Sequence, residues 1–132
     1  MHPIKQNGLL LAVQFGVNDI KAGLNFFTDE KDFIQVGGWR YDKDKILQAH
    51  KHNFVERKVT RTQEFVFVIH GNMKVTLYDE DERFVEEVIL TASEGMILLA
   101  GCHGYHILSD DTIVLEIKNG PYPGAEVDRK RI

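Results

Sequence analysis

The sequence predicts an all-β domain built from antiparallel strands, arranged as a sandwich or a barrel. Three observations predict this class. At least six short runs are rich in β-branched and aromatic residues, residues typical of turns separate them, and 132 residues suit one domain of residues 1–132. We expect one hydrophobic core and no second domain.

The first half of the chain contains three strand candidates. The apolar run Leu9–Phe15 comes first, and a Gly-Val-Asn-Asp turn closes it. A shorter run, Phe33–Val36, precedes two glycines and Trp39-Arg40-Tyr41. For Lys45–His50 we favour a strand because the rest of the chain is β-type, although its good helix formers leave a helix as the alternative.

A hairpin is predicted at the centre of the chain. The run Glu64–Ile69 is rich in β-branched and aromatic residues, and the turn His70-Gly71-Asn72 follows it. Met73–Tyr78 then alternates apolar and polar residues, which predicts one solvated face. Four acidic residues form the next turn. The remaining predicted strands are Val85–Leu90, Met96–Ala100 and Ile113–Lys118.

Charge and composition exclude several classes of function. The net charge is −4, whereas a nucleic-acid-binding domain usually carries a basic face. No segment approaches the ~18 apolar residues that a membrane-spanning helix needs. The single cysteine, Cys102, permits no intramolecular disulfide and is compatible with a reducing compartment. We therefore expect a cytoplasmic protein that binds neither nucleic acid nor a membrane.

Histidines and one glutamate form a candidate metal site. His50 and His52 would project to the same side of a strand, because side chains at i and i+2 share a face. Glu64 begins the central strand, where an unpaired buried carboxylate would be costly. His103 follows a hydrophobic run and would complete the ligand set. Imidazole and carboxylate ligands suit zinc, iron, manganese or nickel ions.

The order of these residues resembles the two sequence motifs of the cupin family. The motif residues are His50-x-His52, Glu64 six residues before Gly71, and a glycine-flanked histidine after a hydrophobic strand. The resemblance covers roughly residues 33 to 118 and implies a cupin-like antiparallel jelly-roll barrel that holds a divalent metal ion. Three segments also resemble small cupins associated with surface-carbohydrate biosynthesis: Arg61–Glu64, Gly101–Tyr105 and Lys118–Tyr122.

The chain departs from the cupin pattern at two places. The 11 residues between His52 and Glu64 are more than the family usually has. The Gly-Asp pair before the closing strand is replaced, so two registers are possible, one with His103 and one with His106 as the third imidazole ligand. We favour His103, since Gly101 and Gly104 flank it, and His106 remains the alternative.

Further side chains are candidates for substrate binding and proton transfer. Trp39 and Tyr41 would stack on a sugar ring or pack in the core, and Arg57 and Arg61 would bind anionic groups or line an exposed edge. The candidates for transferring a proton to or from the substrate are Glu64, Tyr105 and His106.

The resemblance implies an enzyme that isomerises or epimerises a sugar, a nucleotide-sugar or a related polyhydroxy compound. An iron(II)-dependent dioxygenase and a non-catalytic sugar-binding module are the alternatives. Cupins commonly pair, so we expect a homodimer, with the apolar run Leu9–Val13 as the candidate contact between copies.

Overall fold

The computed structural model describes all of residues 1–132, and its regular structure is almost entirely β. A 3-10 turn spans Val17–Asp19, and one short helix, α1, spans Ala125–Asp128. No helix has both the length and the apolar character that crossing a membrane would require. The ten strands are β1 (His2–Gln6), β2 (Leu9–Gly16), β3 (Gly23–Phe26), β4 (Gly37–Arg40), β5 (Glu64–His70), β6 (Asn72–Tyr78), β7 (Phe84–Thr91), β8 (Glu94–Leu98), β9 (Cys102–Ile107) and β10 (Ile113–Lys118).

The strands form two main antiparallel sheets and a hairpin. The larger sheet has the order β1-β2-β8-β5-β10, and the smaller has the order β7-β6-β9. Strands β3 and β4 pair only with each other. All pairings are antiparallel, which confirms the predicted all-β antiparallel class. The sheets do not join into a closed barrel, so the jelly-roll barrel is not part of what the fold establishes.

The main core consists of the facing side chains of the two sheets. Alternate residues of a strand point to one face, so β5 contributes Val66 and Val68 while β6 contributes Met73, Val75 and Leu77. All five are almost completely buried. A core of interdigitating aliphatic residues between two antiparallel layers is the usual way in which such sheets are stabilised.

A second, smaller apolar cluster lies on the outer side of the larger sheet. Phe15 and Ile97 belong to it, and the segment of residues 27–36 covers them through Ile34. Gln63 holds this segment in place, because its Oε1 accepts a hydrogen bond from the Ile34 backbone N–H at 2.9 Å and its Nε2 donates to the carbonyl of Leu99 at 3.3 Å. The buried Gln63 is therefore a structural residue.

The central predicted strands are confirmed, but the predicted hairpin is wrong, because β5 and β6 lie in different sheets and do not pair with each other. Two early strand predictions are also wrong. Phe33–Val36 is not a strand; its Ile34 is buried in a covering segment, and the adjacent strand β4 begins at Gly37. Lys45–His50 is neither strand nor helix, because no neighbouring strand pairs with it and every residue from 41 to 61 is exposed. We call residues 41–61 the arm.

Candidate functional site

Four polar side chains meet at one end of the space between the sheets. The carboxylate of Glu64, only 5% exposed, lies at their centre. Its Oε1 accepts a hydrogen bond of 2.5 Å from the Tyr105 hydroxyl and lies 3.7 Å from the His103 Nε2. Its Oε2 lies 3.2 Å from the Nζ of Lys118. We call Glu64, His103, Tyr105 and Lys118 the carboxylate cluster.

Strand alternation delivers these groups to one place. His103 and Tyr105 are two residues apart on β9 and share the face that is directed at the larger sheet. Lys118 is the direct cross-strand partner of Glu64. The four residues of the cluster thus come from β5, β9 and β10. The cluster forms only if β10 pairs with β5, and β9 with β6, in the observed register.

A glycine turn fixes where β9 begins. Gly101 has φ +73°, and a Cβ atom at this position would lie 2.3 Å from the carbonyl oxygen of Tyr78. Only glycine tolerates that combination of a left-handed backbone and close approach. Because His103 comes two residues later, the tight passage at Gly101 sets the register that brings its imidazole to Glu64.

The electrostatics of the cluster keep Glu64 ionised. Burial raises the pKa of Glu64, but its interactions with His103, Tyr105 and Lys118 lower it more, and the balance holds the pKa at about 2. Burial and the hydrogen bond to Glu64 raise the pKa of Tyr105 above its usual range. Tyr105 is therefore a protonated hydrogen-bond donor at neutral pH, and Glu64 is a weak base.

Lys118 connects the cluster to a second carboxylate. Its Nζ lies 2.8 Å from Glu116 as well as 3.2 Å from Glu64. The hydrogen bond to Glu116 raises the pKa of Lys118, burial lowers it, and the bond to Glu64 raises it further, so the net shift is upward. The ammonium group is thus a permanent cation between two anions, which fixes the orientation of both carboxylates.

A small cavity adjoins the cluster. Its volume is about 140 Å³, and Tyr105 and Glu116 form its polar side. The other lining residues are apolar, and they are Val66, Met73, Ile107 and Val114. Space of this size admits part of a small ligand, with hydrogen-bonding groups at one end and an apolar wall at the other.

His50 and His52 lie away from this cluster, on the exposed arm. Their rings are 5.2 Å apart, and His50 bonds only to the carbonyl of Gln48. The structure contains no group of three or more His, Cys, Asp or Glu side chains arranged to hold a metal ion. Of the four predicted ligands, it brings together Glu64 and His103. The oxygens of Glu64 already bind Tyr105 and Lys118, so the side chains as placed do not fit a metal ion.

His106 lies on the opposite face of β9 from His103 and Tyr105. It is exposed and lies across from Lys74 of β6, near Glu87. Alternation along β9 explains this position, because residues 103 and 106 differ by an odd number. Between the two open registers, the structure therefore places His103, and not His106, beside Glu64.

The predicted substrate-binding residues also lie outside the carboxylate cluster. Trp39 and Tyr41 are exposed, and their rings meet edge to face at 6.3 Å. Arg57 bonds only to the nearby carbonyl of Val55 on the arm. Arg61 forms an exposed ion pair of 2.5 Å with Glu80. These positions offer no shared binding surface with Glu64.

Three residues of the region were not anticipated from the sequence. Lys118 and Glu116 point inward from β10, and Asn119 ties the end of this strand to the chain before β5. The Asn119 Oδ1 accepts from the Gln63 backbone N–H at 2.6 Å, and its Nδ2 donates to the carbonyl of Arg61 at 3.1 Å. The alternation of Val114, Glu116 and Lys118 with apolar residues was the available signal for an inward polar pair.

Comparisons of this chain with family models, with curated proteins and with solved structures gave no match.

Proposed function

We propose that this chain is a small cupin-type enzyme that isomerises or epimerises a sugar or a related polyhydroxy compound at the carboxylate cluster. The observation that carries the proposal is the buried, ionised Glu64, which holds Tyr105 at 2.5 Å and lies 3.7 Å from His103 beside a cavity. The carbohydrate class rests on the resemblance of Arg61–Glu64, Gly101–Tyr105 and Lys118–Tyr122 to small cupins.

Within this proposal, the cluster divides the work of proton transfer. His103 is the base that removes a proton from a carbon next to the substrate carbonyl, since imidazole is well suited to proton transfer near neutral pH. Tyr105 has one hydroxyl proton, which it donates to Glu64 in the free chain. When substrate binds, this hydrogen bond turns from Glu64 to the carbonyl oxygen, where negative charge develops. Return of the proton by His103 to the same carbon epimerises the substrate. Its return to the neighbouring carbon isomerises the substrate, and the hydroxyl proton on that neighbouring carbon then passes to the former carbonyl oxygen as the new carbonyl forms. Glu64 is a positioning residue, because its low pKa makes it a poor base.

Exchange of solvent deuterium tests this function. Purified protein in D₂O, offered a panel of sugar phosphates and nucleotide-sugars, should incorporate deuterium next to the carbonyl of one compound, as followed by NMR. His103→Gln and Tyr105→Phe should each lower the rate by roughly 10²-fold or more. The matched controls His70→Gln and Tyr122→Phe alter exposed residues outside the cluster and should leave the rate unchanged.

The absence of exchange with every compound would count against the enzyme. If a compound from the panel nevertheless binds, and Tyr105→Phe weakens the binding, the non-catalytic sugar-binding module becomes the better description. Binding that is equally strong in Tyr105→Phe and Tyr122→Phe would remove the carboxylate cluster from the function altogether.

A divalent metal ion is a second proposal, and two observations favour it. The rings of His50 and His52 are only 5.2 Å apart on an arm that forms hydrogen bonds with the body only through Arg61, and His103 lies 3.7 Å from Glu64. Metal binding would require the arm to bring both imidazoles to the cluster and to displace Lys118. The ion, whether zinc, iron, manganese or nickel, would serve either the isomerase or the iron(II)-dependent dioxygenase alternative.

Metal analysis of the purified protein separates this proposal from the first. The wild-type chain should bind one equivalent of metal. The two single variants His50→Ala and His52→Ala should each lose it, whereas the control His70→Ala should retain it. Equal metal content in all four proteins, or a melting temperature that neither metal nor chelator changes, would contradict the predicted ligand set.

A further inference from the structure

The chain exposes more surface than a compact monomer of its size. Its accessible surface is 9625 Å², whereas the surface expected for a folded monomer of 15.1 kDa is about 7,100 Å². The excess is about 2,500 Å² per chain. A standard interface removes about 800 Å² from each partner, and obligate interfaces remove more. The excess is therefore large enough for a stable dimer.

The arm accounts for much of this exposed surface. No residue from 41 to 60 forms a hydrogen bond with a residue outside the arm. Ile46 is 82% exposed and Phe54 is fully exposed at 101%, although both are large apolar residues that are usually buried. A single chain thus leaves Ile46 and Phe54 almost without apolar contacts.

An uncovered apolar surface exists on the larger sheet of the same chain. We call it the β5–β10 face, which consists of the outward side chains Phe65, Phe67, Ile69, Leu115 and Ile117. It contains no charged residue. Three of its members, Ile69, Leu115 and Ile117, are about half exposed, because residues 27–36 cover only the part of the sheet around Phe15 and Phe65. Contiguous apolar patches of this kind mark interaction sites.

Charge favours contact between the arm and the rest of the molecule. The arm contains six of the 16 Lys and Arg residues but only three of the 20 Asp and Glu residues. It therefore carries a net charge of +3, while the remainder of the chain carries −7. The positive arm is therefore attracted to the negative remainder of a second copy, and contact between two arms is disfavoured.

We propose that the arm of one copy packs on the β5–β10 face of a second copy, and that the exchange is reciprocal. Two identical contacts related by a two-fold axis then cover both arms and both faces. In the earlier candidate, Leu9–Val13, the residues Leu11, Ala12 and Val13 are buried in β2 between β1 and β8, so this run offers less free apolar surface than the arm. The inference concerns assembly and stands apart from the proposed enzymatic function.

The mass in solution gives the first test. Light scattering of the full chain should give twice 15.1 kDa. Phe54→Asp should raise the dissociation constant of the dimer by ~100-fold or more, because two buried phenyl rings are replaced by charges. Phe54 contacts nothing in a single chain, so circular dichroism should show an intact fold. The matched control Val127→Asp alters an exposed residue of α1 and should leave the mass unchanged.

Cross-linking in trans gives the second test and identifies the occupant of the face. In a Cys102→Ser background, chains with Phe54→Cys are mixed with chains with Leu115→Cys and treated with a short bismaleimide. Cross-linked dimers that contain one chain of each kind are expected. A monomeric mass overturns the inference. So does a cross-link that forms only within a single chain carrying both cysteines, since it would show that the arm covers its own sheet.

Discussion

The two-sheet body and the arm belong to one chain but differ in how far their side chains are buried and hydrogen-bonded. In the body, alternation places aliphatic side chains between two layers, and each inward polar group, such as Glu64, has hydrogen-bonding partners. In the arm, Ile46 and Phe54 are exposed, and only its last residue, Arg61, forms hydrogen bonds with the body. The stability of one chain therefore resides in its body, whereas the arm adds little to it because its large apolar side chains remain exposed.

The largest expected effect is the loss of a core side chain. Leu77 is 1% exposed between the sheets, so Leu77→Ala should lower the free energy of unfolding by about 2–5 kcal/mol. The matched change on the arm, Leu47→Ala, should change it by less than about 0.5 kcal/mol. Both are measured by urea unfolding in the Phe54→Asp background, so that association between copies does not contribute. Similar losses at both positions would erase the distinction between body and arm.

The next largest effect concerns acid stability and depends on Glu64. The pKa of Glu64 is about 2 in the folded chain and about 4.5, the usual value of a glutamate, in the unfolded chain. The folded form therefore binds the proton less readily than the unfolded form. The resulting stabilisation is complete above pH 4.5 and is lost as the pH falls from about 4.5 toward 2. One pKa unit corresponds to 1.36 kcal/mol, so the difference of about 2.5 between the two pKa values gives an upper figure of about 3–4 kcal/mol.

Urea unfolding between pH 7 and pH 2 measures this effect. In Glu64→Gln, the free energy of unfolding should fall less steeply between pH 4.5 and pH 2, the part of the curve that we call the acid limb. The substitution should also lower stability at pH 7, because Lys118 loses its carboxylate partner. Glu126→Gln, in the short helix α1, is the control and should keep the acid limb. A Glu64→Gln protein with an unchanged acid limb would show that the carboxylate is not held as the structure places it.

Part of this site was predictable from the sequence because it depends on local rules. Strand alternation places His103 and Tyr105 on one face of β9, and the glycine at 101 marks the turn that begins it. Glu64 opens the most apolar run of the chain, where a carboxylate needs partners. Pattern alone therefore indicated Glu64, whereas His103 and Tyr105 were also drawn from the family resemblance, because β9 was not among the predicted strands. The strands β5 and β6 were predicted, but their places in two different sheets were not.

The remainder of the site depends on long-range pairing, which one sequence does not specify. His50 and His52 were predicted to share a strand face, but a strand needs a neighbour, and the arm has none within one chain. Lys118 was missed because Ile113, Leu115 and Ile117 suggest the apolar face of β10, whereas Leu115 and Ile117 point outward and Lys118 points to Glu64. Which face of a strand is covered is decided by the other layer.

A smaller effect is expected at the glycine that positions β9. Gly101→Ala introduces a Cβ into a left-handed residue, 2.3 Å from the Tyr78 carbonyl oxygen. It should lower the free energy of unfolding by about 2 kcal/mol. Gly104→Ala, three residues later on the same strand, meets no atom within 4 Å and should cost less than about 0.5 kcal/mol. Equal losses of unfolding free energy in Gly101→Ala and Gly104→Ala would mean that the turn at Gly101 is not as tightly packed against Tyr78 as the structure places it.

The smallest expected effect lies where the arm meets the body. Arg61 closes the arm and pairs with Glu80 at 2.5 Å, but both side chains are about half exposed. Exposed pairs contribute little because water screens them and two long side chains must be ordered, so Arg61→Ala should change stability by less than about 0.5 kcal/mol. Asn119→Ala removes a half-buried hydrogen bond from the Gln63 backbone N–H and an exposed one to the Arg61 carbonyl, and it should cost about 1–2 kcal/mol. Thermal unfolding of both variants ranks them, and the opposite order would mean that the arm is held by charge and not by the backbone contacts of Asn119.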